Sequence, residues 1–163
     1  MAKDSVTNKK RNPIDDLDGE EVVEAMQVVA FKLRDEEYGV NIFQVQEIND
    51  MSNITRVPFA ASFIKGVINQ RGSVMPVIDL KKRLGIVETP YTATARIVTV
   101  IVGDLQVGML VDSVTEVLTI RTKLVDPKKT VSDKAMEKFL SGIGNIDGRL
   151  VTMLNLEEIV GLN

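Results

Sequence analysis

From Met26 onward, apolar and polar residues alternate with the period of two that is typical of β-strands. In QVVAFKL, residues 27–33, the side chains of Val29, Phe31 and Leu33 fall on one face. A polar turn follows, and YGVNI returns as a second strand. Short helices fit the pattern at residues 59–65, 80–84, 133–140 and 156–160. Because short, evenly spaced strands continue to the end of the chain, we predict an all-β fold, a small barrel or a sandwich.

The chain also contains an internal repeat. Residues 26–48 align without gaps on residues 95–117, an offset of 69 that places Glu47 on Glu116. Both segments carry a strand, a polar turn, a glycine within the returning strand and a similar ending, VQEI in one and VTEV in the other. Hairpins share alternation and turn residues by chance, so this match alone does not establish a duplication.

A second pair of segments matches in the same order. Residues 63–80 align on residues 139–156 at an offset of 76, and Gly72 falls on Gly148. Phenylalanine, asparagine and glycine positions agree together with the apolar ones, so we infer an internal duplication. The second copy has seven extra residues in the connection between its two matching segments.

The duplication suggests two subdomains within one domain. The copies span approximately residues 26–86 and 95–161, joined by VETPYTAT at residues 87–94. A unit of about 60 residues has a marginal core of its own. We therefore expect the copies to share apolar surface, and a duplication of this kind permits an exchange of strands.

The N-terminal residues differ in composition from the rest. Residues 1–23 hold a basic cluster at positions 9–11 and five acidic residues between positions 15 and 21, with little hydrophobic periodicity. Such a composition predicts a flexible charged tail. The remaining residues, 24–163, are predicted to form the single folded domain.

Missing residue types narrow the possible functions. The chain has no cysteine and no histidine, so disulfides, the common zinc sites and the Cys–His or Ser–His nucleophile pairs cannot form. A net charge of −3 with only 4% aromatic residues is a poor match to a nucleic-acid surface. We therefore expect a cytoplasmic binding protein rather than an enzyme, with no catalytic residue, metal or cofactor.

An arginine occupies an unusual position at a predicted hairpin. The first copy has Arg71-Gly72 where the second has Asp147-Gly148, and Asp-Gly is the common chemistry of such a turn. We expect Gly72 and Gly148 to take positive φ. The turn itself does not require Arg71, so two interpretations stay open. Arg71 pairs with a nearby carboxylate, for which Glu47 is the candidate, or it reaches out to a partner.

Three other features carry structural expectations. Pro76 cannot donate to a sheet ladder, so its strand is predicted to be an edge or to end its pairing there. The basic cluster at residues 81–83 is expected to form one exposed helical turn. Methionines within the β pattern are expected to fill the core. These are Met26, Met75, Met109 and Met153.

Three motifs together resemble the CheW family of bacterial chemotaxis coupling proteins. They are EEYGVNIFQVQEI, FIKGVINQRGSVMPVIDL and VGMLVDSVTEVL, and the resemblance covers roughly residues 27–160. It implies two intertwined five-stranded barrels of the Src-homology-3 type. It also implies a non-enzymatic adaptor, monomeric when free, that binds the regulatory domain of the histidine kinase CheA and the cytoplasmic tip of methyl-accepting chemotaxis receptors. Such a protein is recruited to receptor arrays at the inner face of the membrane without inserting into it.

The resemblance also implies site residues. The family's partner-binding motifs map onto VQEI, KGVINQRG and VTEVL of this chain. The residues concerned are Val45, Glu47, Ile48, Gly66, Arg71 and Val117. In family members the glutamate and the arginine at these positions can pair, which makes Glu47 and Arg71 the expected ion pair. The motif does not assign contacts separately to receptor and kinase.

Three other functions remain as alternatives. The nearest is a CheW-like scaffold of a receptor–kinase pathway outside chemotaxis, whose sequence would look the same. A double barrel that binds a small molecule or a nucleic acid would need a pocket or basic groove with convergent polar groups. A carboxylate-dependent hydrolase would need two acids that meet in a cleft.

Overall fold

The computed structural model describes residues 22–51, 53–129 and 133–161, without the side chains at 22–24, 122 and 129. Most of the predicted tail, residues 1–21, lies outside the described residues. The first strand begins at Val22, inside the segment predicted as tail. A single element therefore carries the chain from the end of the tail into the sheet.

Ten strands make up most of the described chain, which confirms the all-β fold class. The strands are β1 (Val22–Leu33), β2 (Glu36–Asn41), β3 (Val45–Asp50), β4 (Ile64–Gln70), β5 (Ser73–Asp79), β6 (Arg96–Val102), β7 (Leu105–Val111), β8 (Ser113–Thr122), β9 (Leu140–Ile146) and β10 (Arg149–Leu154). They form two five-stranded sheets. The first sheet has the order β8-β1-β2-β10-β9, and the second has the order β3-β6-β7-β5-β4.

Each sheet combines strands from both copies of the repeat. The first sheet takes β1 and β2 from the first copy and β8 to β10 from the second, while the second sheet takes β3 to β5 and β6 to β7. When each strand is replaced by its equivalent in the other copy, the order of one sheet becomes the order of the other. The copies therefore exchange strands, and neither sheet is built from one copy alone.

The connection after each edge strand pairs with the opposite edge of the same sheet. Thr55, beyond β3, forms an isolated antiparallel bridge with Val67 of β4. Val125, beyond β8, forms the corresponding bridge with Ile143 of β9. Each bridge links the connection after one edge strand to the opposite edge strand of the same sheet, which is consistent with the Src-homology-3 type of fold.

Strand β1 is buried on both faces because it contributes to two cores. Val29 and Phe31 pack into a core that residues of both sheets share, while Val28 packs into a smaller core within the first sheet. A third cluster, which includes Ile97 and Leu110, lies within the second sheet. Met75, Met109 and Met153 are buried and Met26 packs against the first sheet's own core, so their predicted role is confirmed.

The structure contains three of the four predicted helices. These are α1 (Leu80–Leu84), α2 (Lys134–Glu137) and α3 (Leu156–Val160), and each starts after an Asp or Asn whose side chain accepts a backbone N–H. The helix predicted at residues 59–65 is wrong. Phe59 has φ of 66°, outside the right-handed helical region, and β4 begins at Ile64.

Pro76 ends a strand pairing without lying on an edge strand. Strand β5 sits between β7 and β4, so the alternative of an edge strand is wrong. The other alternative is confirmed, because the parallel pairing of β5 with β7 runs only from Val77 to Asp79. Pro76 itself faces Val67 of β4 and has no N–H to offer β7.

The basic cluster on α1 is not an exposed turn, contrary to the sequence-based expectation. Lys81 is buried, and its Nζ lies 2.7 Å from Asp112 Oδ1 and 2.9 Å from Thr89 Oγ1. Its ammonium also sits 4.1 Å from the ring centroid of Tyr91. Through these hydrogen bonds, Lys81 links the connection between the copies, residues 87–94, to Asp112 at the end of β7.

Arg83 joins the two copies from the same helix. Its guanidinium stacks on Phe63 and Phe139, which are equivalent residues of the repeat, with ring centroids 4.0 Å and 4.9 Å away. It also donates hydrogen bonds to the carbonyl oxygens of Ile159 and Glu158 at the end of α3. Of these three basic residues, only Lys82 is exposed. The sequence pattern did not indicate this, because the other copy contributes partners of Lys81 and Arg83.

Candidate functional site

The hairpins at the two sheet ends have the same backbone. Arg71 and Gly72 have φ of 53° and 82°, and Asp147 and Gly148 have φ of 54° and 88°. Two consecutive residues at positive φ are typical of the tight turn that suits a twisted hairpin. Aspartate tolerates this conformation better than arginine does. The turn therefore does not account for Arg71.

The Arg71 side chain reaches the opposite edge of the second sheet. Its Nη2 lies 2.5 Å from Oε2 of Glu47, which is on β3. The side-chain amide of Gln70 donates a hydrogen bond to the other carboxylate oxygen of Glu47. Asn49 donates to that same oxygen from 3.1 Å. Glu47 is thus held by three donors, which orients it to receive the arginine.

Exposure differs strongly between the two members of this pair. The Glu47 side chain is 17% exposed, whereas that of Arg71 is 79% exposed. The carboxylate is therefore the shielded partner, and the guanidinium is the group that faces solvent. This geometry is compatible with both interpretations of Arg71. A guanidinium that pairs with Glu47 through Nη2 still has other N–H groups that can donate to another chain.

The remaining predicted site residues occupy different environments. Ile48 and Val117 are exposed apolar residues on β3 and β8. Val45 is half-buried at the start of β3 and packs against the shared core. Gly66 is buried within β4, where an added Cβ would lie 2.3 Å from the carbonyl oxygen of Thr55. Gly66 is thus needed for close approach of two backbone segments, and its side of the strand offers no side chain to a partner.

The repeat places Ile48 and Val117 at equivalent positions on different sheets. Glu47-Ile48 on β3 corresponds to Glu116-Val117 on β8. The predicted site residues therefore do not form one cluster. Those of the first copy lie on the second sheet, and Val117 lies on the first sheet.

A second arginine cluster occupies the corresponding end of the first sheet. Arg149, at the start of β10, donates two hydrogen bonds to Glu37, from Nε at 2.5 Å and from Nη2 at 2.7 Å. Its Nη1 donates to Glu116 at 2.7 Å. Thr115 also donates to Glu37, at 2.9 Å. Glu116, the equivalent of Glu47, therefore has an arginine partner that comes from a different position of the repeat.

The Arg149–Glu37 pair could not be predicted from the sequence, for two geometric reasons. The arginine sits two residues after Asp147, directly beyond the turn, at the position that Ser73 occupies in the first copy. Its main partner, Glu37, belongs to the other copy and comes near only through the exchange of strands. A search for Arg–Glu pairs within each copy cannot find it.

Two exposed apolar residues lie close in the chain to the members of each ion pair, at equivalent positions of the repeat. We call Glu47, Ile48, Arg71 and Val74 the Arg71 face. We call Glu116, Val117, Arg149 and Leu150 the Arg149 face. Val74 and Leu150 follow the two hairpin turns and were not singled out from sequence. Exposed apolar residues beside an organised charge are typical of protein-binding surfaces.

The two faces differ in how available their arginine is. On the Arg71 face the guanidinium has one carboxylate partner, while Arg149 has two and is less exposed. Hydrogen bonds from Arg149 hold the pKa of Glu37 below its usual value, although burial acts in the opposite direction. A carboxyl group with a lowered pKa is ionised near neutral pH and does not suit general acid catalysis.

One further exposed aromatic residue lies close to β3 in the chain. Phe43, in the 3-10 turn Ile42–Gln44 that leads into β3, is 91% exposed. Its equivalent in the second copy is Asp112, so the aromatic residue is specific to the first copy. Phe43 lies within one of the three motifs that resemble the CheW family, but the sequence pattern does not indicate that its side chain is exposed.

The described residues give no indication of a metal site or a membrane span. Among them, no three acidic side chains come together in a way that could hold a metal ion. No helix in that part of the chain has the length and apolar character needed to cross a membrane.

Comparison with known proteins identifies the family. Residues 27–162 match the family model described as CheW-like domain. The chain is 36% identical over 133 residues to the probable chemotaxis protein CheW of Rhizobium etli, which covers 82% of this chain and 86% of that protein. It is 31% identical over 144 residues to the chemotaxis protein CheW of Klebsiella aerogenes, covering 88% and 86%. The chain belongs to the CheW-like domain family.

A solved structure supports the same assignment. The crystal structure of the scaffolding protein TtCheW from Thermoanaerobacter tengcongensis matches with a TM-score of 0.76 and 33% identity. The match covers 86% of this chain and 95% of that one. Membership of the CheW-like family, predicted from three sequence motifs, is thereby confirmed, and so is the association with chemotaxis scaffolds.

Proposed function

We propose that this CheW-like protein is a non-enzymatic adaptor that couples methyl-accepting chemotaxis receptors to the histidine kinase CheA. The observation that carries the proposal is its similarity, over most of its length, to proteins named chemotaxis protein CheW and to a chemotaxis scaffolding protein. An adaptor acts by binding two partners at once, so it needs two separate surfaces and no reactive group.

The Arg71 and Arg149 faces supply two such surfaces. They lie on different sheets, and each presents an arginine–glutamate pair beside exposed apolar residues. A small apolar patch with a polar rim suits an interface that is weak singly and effective in an array. Because the arginines differ in their partners, the two faces offer different charge patterns, which allows them to select different proteins.

The residues proposed to bind partners are those implied by the family motifs, with two additions from the geometry. The proposed contacts are Val45, Glu47, Ile48, Arg71, Val117, Val74 and Leu150. Gly66 is proposed to act through the backbone, since it lets β4 approach the Thr55 segment closely. Glu47 is proposed to have a second role, which is to orient Arg71, because the guanidinium of Arg71 is one of the three donors to its carboxylate.

The proposed location and assembly follow from this role. The protein acts in the cytoplasm, is monomeric when free, and is recruited to receptor arrays at the inner face of the membrane by its partners. No cofactor or metal takes part in the proposed function.

Binding titrations test the proposal directly. The purified protein is titrated with the regulatory domain of its cognate CheA and, separately, with a cytoplasmic receptor fragment. We expect binding to both, and weaker binding of at least one partner by Arg71→Ala. Lys82→Ala is a matched control, because Lys82 forms another exposed ion pair, with Glu88 at 3.7 Å.

Each failure of this experiment has a distinct meaning. Binding to neither partner by the folded protein would contradict the coupling function and would favour a double barrel that binds a small ligand. Binding to the receptor and kinase of a different signalling pathway would favour a CheW-like scaffold outside chemotaxis. Equal loss in Arg71→Ala and Lys82→Ala would contradict the specific role of Arg71.

A further inference from the structure

The second sheet holds two buried polar atoms that have no hydrogen-bond partner among the described residues. They are Oγ1 of Thr99, on β6, and Oε1 of Gln70, at the end of β4. Thr99 is fully buried. A polar group that leaves water without gaining a hydrogen bond destabilises the fold, so these two atoms call for an explanation.

Both residues share one side of the second sheet with Glu47. Thr99 is the cross-strand partner of Glu47 in the antiparallel pairing of β3 with β6, which places their Cβ atoms about 5 Å apart. Gln70 donates a hydrogen bond from Nε2 to Glu47. Alternation along β6 puts Thr99 on the face of Ile97, and Gln70 shares its face with Ile68. Because both isoleucines belong to the cluster within the second sheet, the three polar side chains converge at the edge of that cluster.

The second copy has apolar residues at the two corresponding positions. Ala30, the equivalent of Thr99, is buried. Ile146, the equivalent of Gln70, packs against the first sheet's own core. The repeated fold therefore does not require polar side chains here. They are specific to the sheet that carries Arg71.

The two unpaired atoms are chemically complementary. A threonine hydroxyl can donate one hydrogen bond, whereas the amide oxygen of a glutamine can only accept. Gln70 already uses its NH₂ group on Glu47, so Oε1 is the part of its amide that still needs a partner. A change of the Thr99 side-chain torsion, or one water between the two atoms, satisfies both of them.

We propose that Thr99 and Gln70 are positioning residues for Arg71. The hydroxyl of Thr99 donates to Oε1 of Gln70, directly or through one water, and this fixes the amide so that Nε2 donates to Glu47. The carboxylate of Glu47 in turn holds Nη2 of Arg71. This relay runs from the interior of the second sheet to its surface, so a fully buried threonine controls the orientation of an exposed cation.

Thr99→Val separates the relay from a hydroxyl that simply has no partner. Valine replaces the hydroxyl with a methyl group of similar size. Loss of an unpaired hydroxyl stabilises the fold and leaves Arg71 unchanged. Loss of a relay member leaves Oε1 of Gln70 unpaired and loosens the hold on Glu47. Thr99→Ser keeps the hydroxyl, so it should keep the wild-type behaviour of Arg71.

NMR of the Arg71 guanidinium in the free protein measures the effect. Rotation about the bond between Nε and Cζ requires the contact with Glu47 to open, so its rate reports how firmly the pair is held. We expect Thr99→Val and Gln70→Leu each to raise this rate about 2- to 10-fold, the range that corresponds to one hydrogen bond of ordinary net strength. Arg149, whose carboxylate partners lie on the first sheet, is the internal control and should keep its rate.

The double variant Thr99→Val/Gln70→Leu tests whether Thr99 acts through Gln70. We expect its Arg71 rotation rate to match that of Gln70→Leu, because loss of the amide already interrupts the relay. Thr152→Val makes the same substitution at a half-buried threonine of the first sheet. It should leave the Arg71 rate at the wild-type value.

Partner binding is measured separately, because its link to the relay rests on the proposed function. We expect Thr99→Val to weaken binding of the partner that Arg71→Ala weakens, and by a smaller factor. Faster rotation of Arg71 with unchanged partner binding would support the relay and would count against Arg71 as a partner contact.

Two results would overturn the proposal. The first is an Arg71 rotation rate in Thr99→Val that equals the wild-type rate, which would mean that the hydroxyl plays no part in holding the pair. The second is a double variant whose rate exceeds that of Gln70→Leu by the full factor seen for Thr99→Val. That result would mean that Thr99 acts on Glu47 without Gln70.

Discussion

The Nη2 atom of Arg71 lies 2.5 Å from Oε2 of Glu47, across the two edges of the second sheet. The carboxylate is shielded and the guanidinium is exposed, so the pair orients a cation toward solvent rather than burying a charge. An exposed pair contributes only about 0–1 kcal/mol to folding. The contact therefore matters more for presenting Arg71 than for the stability of the fold.

Replacing Arg71 with asparagine separates these two roles. Asparagine tolerates the positive φ of this position better than arginine, which offsets the loss of the ion pair. We expect the free energy of unfolding of Arg71→Asn to change by less than about 1 kcal/mol in urea titrations. Partner binding should nevertheless weaken in the titrations described above.

The equivalent hairpin provides the control for this variant. Asp147→Asn keeps the same backbone conformation and removes no cation. It should leave both stability and partner binding nearly unchanged. Unaltered partner binding by Arg71→Asn would show that the guanidinium is not a contact, whereas large destabilisation would show that the ion pair holds the sheet edges together.

Gly66→Ala should destabilise the fold more than Gly72→Ala. An alanine Cβ at position 66 would lie 2.3 Å from the carbonyl oxygen of Thr55, while one at position 72 would meet no atom within 4 Å. We expect Gly66→Ala to lower the free energy of unfolding by about 3 kcal/mol or more, because backbone atoms must move apart. Gly72→Ala should cost about 1–2 kcal/mol, from the left-handed backbone alone. Chemical denaturation of both variants measures the difference.

Equal costs at the two glycines would contradict this account. In that case the close approach of β4 to the Thr55 segment would not be rigid. A loss of partner binding in Gly66→Ala would then have to arise from the surface itself rather than from displaced backbone.

Lys81 is expected to be a structural residue and Lys82 a solvated one. Lys81 is buried against Asp112, with 1% of its side chain exposed, whereas Lys82 is 40% exposed. Lys81→Met leaves Asp112 without its main partner and should lower the free energy of unfolding by about 3 kcal/mol, at the lower end for a broken buried pair. Lys82→Met should cost less than about 1 kcal/mol.

Thermal and chemical unfolding of these two variants decide the question. Similar stability of Lys81→Met and Lys82→Met would mean that the connection between the copies does not depend on the buried ammonium. The double variant Lys81→Met/Asp112→Leu removes both charges, so it should be more stable than Lys81→Met alone.

The Arg149–Glu37 pair predicts a specific dependence of stability on pH. Hydrogen bonds from Arg149 lower the pKa of Glu37 below 4.5, so the unfolded chain binds a proton at this carboxyl more tightly than the folded chain does. The pair therefore stabilises the fold fully above about pH 4.5 and loses this contribution as the pH falls through the folded-state pKa.

Glu37→Gln removes this contribution. The wild type should be more stable than Glu37→Gln near neutral pH, and the difference should shrink as the pH falls below about 4.5. Urea titrations at several pH values between neutrality and the acid limit of folding measure it. A difference that stays constant, or grows, as the pH falls would contradict a lowered pKa for Glu37.

The sequence was most informative where structure depends on local pattern. The alternation from Met26, the turn glycines and two of the short helices follow from neighbouring residues, and the structure has them where they were predicted. The repeat was visible because glycine and phenylalanine positions recur. The wrongly predicted helix at residues 59–65 had a plausible pattern but no signal of the positive φ at Phe59.

Contacts between the copies could not be predicted in the same way. Arg149 pairs with Glu37, and Lys81 with Asp112, because strands of one copy lie beside strands of the other. Charge spacing within one copy does not encode these pairs. The Glu47–Arg71 pair was a candidate from the sequence because both residues belong to the same copy, and the family resemblance then made it the expected pair.

Exposed apolar residues were likewise beyond the sequence pattern. Val74 and Leu150 continue the alternation of their strands, and alternation does not tell which face meets solvent when both sides of a sheet can be covered. Val74 and Leu150 are equivalent in the repeat, but only the structure shows that each is an exposed residue on a face with an arginine–glutamate pair.

Receptor-dependent activation of CheA tests the central claim most directly. Autophosphorylation of the cognate kinase is measured with receptor fragments arrayed on vesicles, with and without the protein, and with Arg71→Asn and Asp147→Asn in its place. The proposed adaptor function predicts stimulation by the wild type and by Asp147→Asn, and reduced stimulation by Arg71→Asn. Kinase activity that is independent of the protein, while both partners remain functional, would contradict the claim that it couples receptors to the kinase.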